Sequence, residues 1–389
     1  MRRTLYDRDH EDFRSVVREF VTREVSPHQQ RWEEEHFIER AMWTAAGKQG
    51  LLGLAAPEEY GGAGQDDFRY RTVMMEEFAR VGAASLESGF SVQDDIVLPY
   101  LLDLGTEEQR RRWIPRMCTG EAITAIALTE PGAGSDLQGI RTTAVRDDDS
   151  GDWVIDGAKT FITNGIHADL VIVLARTDPA AGAKGMSLFV VERDTPGFSR
   201  GRKLDKVGLH AQDTAELSFA SVRVPAANLL GTEGCGFVHL MERLPRERMS
   251  IAVFAQCVAE TALAWTLDYC AERRAFGTPV GDFQHTRFLL AELATEIEVT
   301  RAYVDSAITA LNDGTLTPVD AAKAKWWASE LQTRVVDRCV QLHGGYGYML
   351  EYPIARAFID SRVQTIYGGT TEVMKEIIGR HLARRTGGR

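Results

Sequence analysis

Trp153-Val154-Ile155-Asp156-Gly157, with the apolar runs at residues 170–174 and 188–191 and the alternation Leu217, Phe219, Val222, Val224, decides how this chain is built. Each run is short and rich in β-branched residues, and turn-forming residues separate them, the pattern of strands rather than helices. Asp156-Gly157 reads as a turn closing the first of them. Residues 123–235 are therefore predicted to form an antiparallel, barrel-like β domain. On its N-terminal side, residues 1–122 read as helical. Phe13, Val16, Val17, Phe20, Val21 and Val25 recur at helical spacing up to Pro27, and a second helix carries Met74, Met75 and Phe78. Residues 60–64, Tyr-Gly-Gly-Ala-Gly, read as a loop between them. On the other side, residues 236–389 read as three or four long helices. Phe254, Val258, Ala262, Trp265 and Tyr269 make one stripe, a helix from about Val319 stops at Gly344-Gly345, and a last helix follows Thr370. Helices, strands, then helices make an α+β multidomain chain with a C-terminal four-helix bundle, and exclude a doubly wound α/β fold.

Composition narrows the function. The 389 residues are 44% hydrophobic and 26% charged, with a formal net charge of −11 and no basic stripe, which argues against a nucleic-acid partner. Five scattered cysteines without a C-x-x-C pair, and nine histidines without H-E-x-x-H, give no disulfide framework and no metal site. The N-terminus lacks an apolar leader and the apolar runs are too short to span a bilayer, so the expectation is a cytoplasmic, reduced protein. There is no G-x-G-x-x-G, Walker A or G-x-S-x-G sequence, which leaves no sign of a nicotinamide, a nucleoside triphosphate or a serine hydrolase.

One segment stands out: Leu128-Thr129-Glu130-Pro131-Gly132-Ala133-Gly134-Ser135-Asp136. Its small residues expose successive backbone N–H groups that suit an anionic or polar ligand, although an ordinary turn into the sheet would look the same. The segment resembles the signature of acyl-CoA dehydrogenases, and further resemblances follow in that family's order. These are Phe161-Ile162-Thr163-Asn164-Gly165; Glu272-Arg273-Arg274-Ala275-Phe276-Gly277 with Gln284; Gln341-Leu342-His343-Gly344-Gly345-Tyr346-Gly347; and Ile366-Tyr367-Gly368-Gly369-Thr370-Thr371-Glu372. The long-chain members are the most similar.

The resemblance implies FAD-dependent α,β-dehydrogenation of a long- or medium-chain acyl-CoA to the trans-2-enoyl-CoA. Electrons would pass to an electron-transfer flavoprotein, and the family's usual state is a homotetramer. It assigns FAD contacts to Ile126, Leu128, Thr129, Gly134 and Ser135, and to Phe161 and Thr163 beside the flavin ring. Arg273, Phe276 and Gln284 would reach the pyrophosphate of a neighbouring subunit's FAD, with Phe276 at helical spacing from Arg273. Gln341, Leu342, Gly344 and Gly345 would hold the adenosine half, and Thr370 and Glu372 close the site. Ser135, Leu244, Arg248, Gly368 and Gly369 would meet substrate.

Many members carry the catalytic glutamate where this chain has Gly368; a minority place it on a C-terminal helix, at the position of Glu247 here. Glu247 is therefore expected to be the base, with Gly368 giving its N–H to the thioester carbonyl and Arg248 structural. The plain alternative for Glu247 is a solvated carboxylate between Arg246 and Arg248. Asp94 and Asp95 fall on a helix that borders the family's acyl tunnel; they read either as helix-start residues satisfying N–H groups or as a sign of a polar acyl group. Competing functions are an acyl-CoA oxidase, a carrier-protein-linked dehydrogenase and a flavin-binding subunit without turnover.

Overall fold

Asp7 opens the first helix, α1 (Arg8–Phe20), by accepting the N–H groups of Asp9 and His10, while His10 Nδ1 faces the Asp7 N–H. The protein's structure, a computed structural model, describes residues 3–386. The apolar stripe of α1 continues through a wider π-helical turn, Val21–Val25, whose Val21 and Val25 are fully buried. Then come α2 (Gln29–Glu35), α3 (Ala41–Lys48), α4 (Phe68–Arg80), α5 (Ala84–Ser91), α6 (Leu98–Leu104) and α7 (Glu107–Cys118).

A second π turn, Val92–Val97, joins α5 to α6 without a break. Pro99 explains it. A proline ring clashes with the carbonyl four residues back, here Asp95, and a widened turn relieves that clash. Asp94 and Asp95 thus lie in the middle of a helical path, not at a helix start. Both are buried and bonded to protein groups. Asp94 accepts the backbone N–H of Gly53 at 3.1 Å. Asp95 takes a two-pronged ion pair from Arg71 on α4, at 2.8 and 2.9 Å, and Arg71 also reaches Glu87 on α5 at 2.7 Å. One guanidinium offsets one carboxylate, and Asp95 has the better fork; burial accordingly pushes Glu87 up to about 8 and Asp94 up to about 7.

The sheet comprises β1 (Thr124–Ala127), β2 (Thr143–Arg146), β3 (Trp153–Thr163), β4 (Leu170–Arg176), β5 (Met186–Glu192), β6 (Phe198–Lys203), β7 (Thr214–Val224) and β8 (Leu229–Leu230). Its order is β6-β7-β3-β2-β4-β5-β8, with β1 beside β4. Most pairs are antiparallel, but β1 runs parallel to β4, and β2 meets β4 in a parallel pair. Asp156-Gly157 is not a turn; β3 runs straight through it. Two residues of β7, Ala220 and Ser221, oppose Asp156 there, and the Asp156 carboxylate accepts the Ser221 N–H. That bulge is why the inward alternation skips from Phe219 to Val222. Gly157 is required: a Cβ would lie 2.7 Å from the Thr142 Cα.

The C-terminal part is built on α8 (Gly236–Glu272), a helix of 37 residues. By length and composition alone α8 could cross a bilayer, yet 67% of its most apolar window is buried inside the protein, the behaviour of a core helix. A hairpin of β9 (Arg274–Ala275) and β10 (Thr278–Pro279) follows, then α9 (Gln284–Asn312), α10 (Pro318–His343), α11 (Pro353–Ser361) and α12 (Thr371–Thr386). Thr317 caps α10, and Gly344, at φ +59°, ends it.

Removing Arg71 strands two buried carboxylates. Arg71→Met should cost about 3–5 kcal/mol, read as a fall in the thermal midpoint. The deficit should shrink at lower pH: carboxylates whose folded pKa is raised stabilise the fold below their unfolded pKa and lose that contribution as pH rises. A deficit independent of pH would contradict this account.

Candidate active site

α8 carries Pro245 in its interior, and the three residues that follow it are Arg246, Glu247 and Arg248. Glu247 is 8% exposed, so it is not a solvated carboxylate. Its Oε1 accepts a hydrogen bond of 3.0 Å from Tyr100 Oη on α6. Burial pushes Glu247 up to about 7, against the opposing pull of Tyr100, Arg248 and Arg243. Arg246 points elsewhere, towards Asp66 at 3.4 Å. Leu244 is half-buried on the same helix.

The Tyr367-Gly368-Gly369 corner comes up against this face of α8. Gly368 and Gly369 have φ of +63° and +98°, backbone that favours glycine. A Cβ on Gly368 would overlap Ile251 Cδ1. Ile251 is four residues beyond Glu247, hence on the same helix face. A side chain at 368 and the side chain of Glu247 therefore project into one region. Two buried cations hold the corner: Arg248 Nε donates to the Gly368 carbonyl at 3.2 Å, and Lys325 Nζ on α10 donates to the Gly369 carbonyl at 2.7 Å. Burial, then the nearby Arg248, bring Lys325 down to about 8.

The glycine-rich segment is pinned by its acid. Glu130 accepts the N–H groups of Arg141 and Thr142 and pairs with buried Lys159 on β3 at 2.8 Å. Thr160 N–H donates to the Thr129 carbonyl. Ile126, Leu128 and Thr129 are half-buried behind, while Gly134 and Ser135 remain exposed. Phe161, at φ +60°, is 68% exposed, and Thr163 ends its strand. Asn164 donates to the carbonyls of Gly89 and Thr124, fixing this strand end to α5 and β1.

A second group of expected residues lies elsewhere. Arg273, Leu342, Gly344 and Gly345 line a groove of about 440 Å³ with Tyr269 and Tyr346. A Cβ on Gly344 or Gly345 would meet nothing within 4 Å, so the groove floor is open. The Tyr269 ring stacks on His343 at 4.2 Å, and the Arg273 guanidinium lies 5.5 Å over the Tyr346 ring. Gln341 is in the last turn of α10 and Gln284 opens α9. Phe276 is not at helical spacing from Arg273: Arg273 ends α8, and Phe276-Gly277 is the two-residue tip of the β9–β10 hairpin, at φ +52° and +81°. Its ring is 97% exposed. Thr370 and Glu372 line a third opening, of about 540 Å³, beside Arg334 and Arg362. A flat aromatic ring system with an anionic linker fits such surfaces: an uncovered phenylalanine beside exposed N–H groups, and an arginine at an open, glycine-floored groove.

Sequence reasoning missed Tyr100 and Lys325. Both are wholly buried polar side chains on helices, and nothing in their local sequence marks their partners.

Sequence profiles of three acyl-CoA dehydrogenase domains match the chain, the N-terminal domain over residues 7–121, the middle domain over 125–222 and the C-terminal domain over 234–383. The mitochondrial long-chain specific acyl-CoA dehydrogenase of Sus scrofa is 50% identical over 382 residues, 98% of this chain and 88% of that one. A crystal structure of an acyl-CoA dehydrogenase from Geobacillus kaustophilus superposes with a TM-score of 0.94 at 50% identity, covering 97% of this chain and 98% of that one. A glutaryl-CoA dehydrogenase from Mycobacterium smegmatis in complex with FADH2 gives a TM-score of 0.90 at 31% identity over 97% of this chain and 95% of its own.

Gly368→Ala should destabilise the corner by about 1–2 kcal/mol from its left-handed backbone alone, and more from the overlap with Ile251. Ile251→Ala in the same chain should recover only the overlap. Thermal unfolding of the two variants checks this; no recovery in the double variant would show that Ile251 is not what the new side chain meets.

Proposed function

Because the chain belongs to the acyl-CoA dehydrogenase family, and so is an FAD-dependent enzyme that dehydrogenates acyl-CoA thioesters, we propose that Glu247 is the base that takes the α-proton. The observation that carries this is the pairing of a glycine at 368 with a buried carboxylate on the facing helix. The α C–H bond is weakly acidic, so the base must be ionised at the working pH and still hold a proton well. A carboxyl near 7 meets both needs. Bound FAD supplies the acceptor for the β-hydride, which no side chain can be.

The rest falls to the chain. As the proton leaves, negative charge grows on the thioester oxygen. The Gly368 N–H is the donor assigned to it, and Arg248 and Lys325 fix that backbone by gripping the two carbonyls that follow. A preset donor of this kind is worth about 3 kcal/mol, since nothing must reorganise as charge develops. Leu244, Ser135 and Gly369 border the same substrate path in this reading. Phe161, Thr163 and the segment from Leu128 to Ser135 would hold the flavin end. Arg273, Phe276, Gln284 and the loop at Gly344-Gly345 would hold the other end of a cofactor bound mainly by a second copy. A homo-oligomer of at least two copies follows from that division, and the family resemblance makes it a tetramer. Likeness to a long-chain specific enzyme at 50% identity supports long acyl chains; medium chains, and an electron-transfer flavoprotein as acceptor, come from the family resemblance.

Anaerobic titration with short, medium and long acyl-CoAs should bleach the flavin most readily with the longer chains, and Glu247→Gln should lower the reduction rate by several orders of magnitude. Bleaching that survives in the variant would remove Glu247 as the base. The rate should also fall as pH drops through about 7, because the protonated form of Glu247 cannot accept the α-proton. A pH-independent rate down to 5 would contradict the assignment.

A further inference from the structure

Among the described residues, Tyr100 is the hydrogen-bond partner of Glu247, and it comes from the N-terminal helices rather than from the bundle that carries the glutamate. Its side chain is wholly buried. Arg243, one turn before Glu247 on α8, lies with its guanidinium 5.3 Å over the Tyr100 ring and pairs with Asp103 of α6 at 3.1 Å. The ring is therefore held on its face by a cation that is itself anchored on both helices. A cation in that position both fixes the ring and strengthens the hydroxyl as a donor. The hydroxyl reaches one oxygen only. Oε1 accepts it at 3.0 Å, while Oε2 receives no hydrogen bond from any described residue.

We propose that Tyr100 is a positioning residue for the dehydrogenation, holding Glu247 by Oε1 so that Oε2 is the atom that receives the α-proton. The proposal rests on the reading of Glu247 as the base. In the step, the α C–H bond breaks, an O–H bond forms on Oε2, and the electron pair of the C–H bond stays on the acyl group. Oε1 then becomes the carbonyl oxygen of a neutral acid and still accepts from Tyr100. No hydrogen bond has to break for the transfer, so the base is oriented before and after it. Tyr100 cannot be the base itself: burial and the adjacent carboxylate keep its hydroxyl protonated far above neutral pH. The groups that face Glu247 are Tyr100 from α6 and Arg243 and Arg248 from α8, and all three favour its ionised form against burial.

Tyr100→Phe keeps the ring and removes the hydroxyl. The holoenzyme is titrated by infrared difference spectroscopy, with the matching Glu247→Gln enzyme subtracted so that the carboxyl band belongs to Glu247. Loss of a hydrogen bond to the ionised form should move the midpoint up by about 0.5–1 pH unit, and the acid limb of kcat/KM should move with it. The loss in kcat should be largest below neutrality and persist in part above it, with KM little changed. Incorporation of 3-fluorotyrosine at position 100, whose phenol is a stronger donor, should move midpoint and limb down; it keeps the fold should the phenylalanine variant fail to form. A midpoint and limb that stay in place in both variants, beside an inactive Glu247→Gln enzyme, would overturn the role of Tyr100 alone. A Glu247→Gln enzyme that still turns over would overturn the base assignment and this proposal with it.

Discussion

A carboxylate buried at the meeting of two helices has to be stabilised by its neighbours, or it takes up a proton and stops being a base. Glu247 sits at that balance: burial opposes its charge, and Tyr100, Arg248 and Arg243 favour it, leaving it near neutrality. The surrounding architecture follows from keeping those neighbours in place. Tyr100 reaches the site because α5 and α6 form one helical path whose phase is reset by the π turn at Val92–Val97. That turn is held in turn by Arg71, which joins Asp95 to α4, and by Asp94 on the Gly53 N–H. Asp94 and Asp95 thus serve the position of a helix.

The facing corner solves a different problem. Two consecutive left-handed glycines would be loose by themselves, since glycine has the most backbone freedom to lose. Arg248 and Lys325 remove that freedom by donating to successive carbonyls. Among the described residues neither forms an ion pair with a carboxylate; both donate directly to the corner's carbonyls, while Glu247 and Glu372 feel their charge from further off. A field of this sign behind a backbone donor favours negative charge in front of it, where a thioester oxygen would gain it.

The three-part fold was legible because short β-branched runs between turn residues, with alternation at 217–224, stand between segments whose apolar residues recur at helical spacing. Parallel pairing of β1 with β4 was not, since a fully buried strand reads the same in either direction. The bulge leaves a visible trace, the skip from Phe219 to Val222, although Asp156-Gly157 by itself suggests a turn because that dipeptide usually makes one. The charge around Arg273 suggests a helix through Phe276, but Gly277 and Pro279 are turn signals, and the positive φ at Phe276 and Gly277 turns the chain there. Glu247 is singled out in the sequence only by the family resemblance, once Gly368 removes the other position for a carboxylate. Tyr100 lies 147 residues from it, and no local pattern encodes such a pair.

The distribution of exposed apolar surface bears on assembly. Phe276, Phe288, Val299, Tyr348 and Leu350 of the C-terminal part stand largely in the open, as do Val145, Phe161 and Val207 of the β part. A second copy that covered some of them would bury apolar surface. The residues assigned to the cofactor show the same incompleteness: the groove at Arg273, Leu342, Gly344 and Gly345 is lined by none of the segment from Leu128 to Ser135. A cofactor that needs both surfaces at once could use the groove of one copy and the flavin ledge of another. On that reading Phe276 is exposed because its partner is a second copy's cofactor, and the hairpin that carries it is the arm that reaches across. Such a contact would bring each groove to the ledge that lacks it.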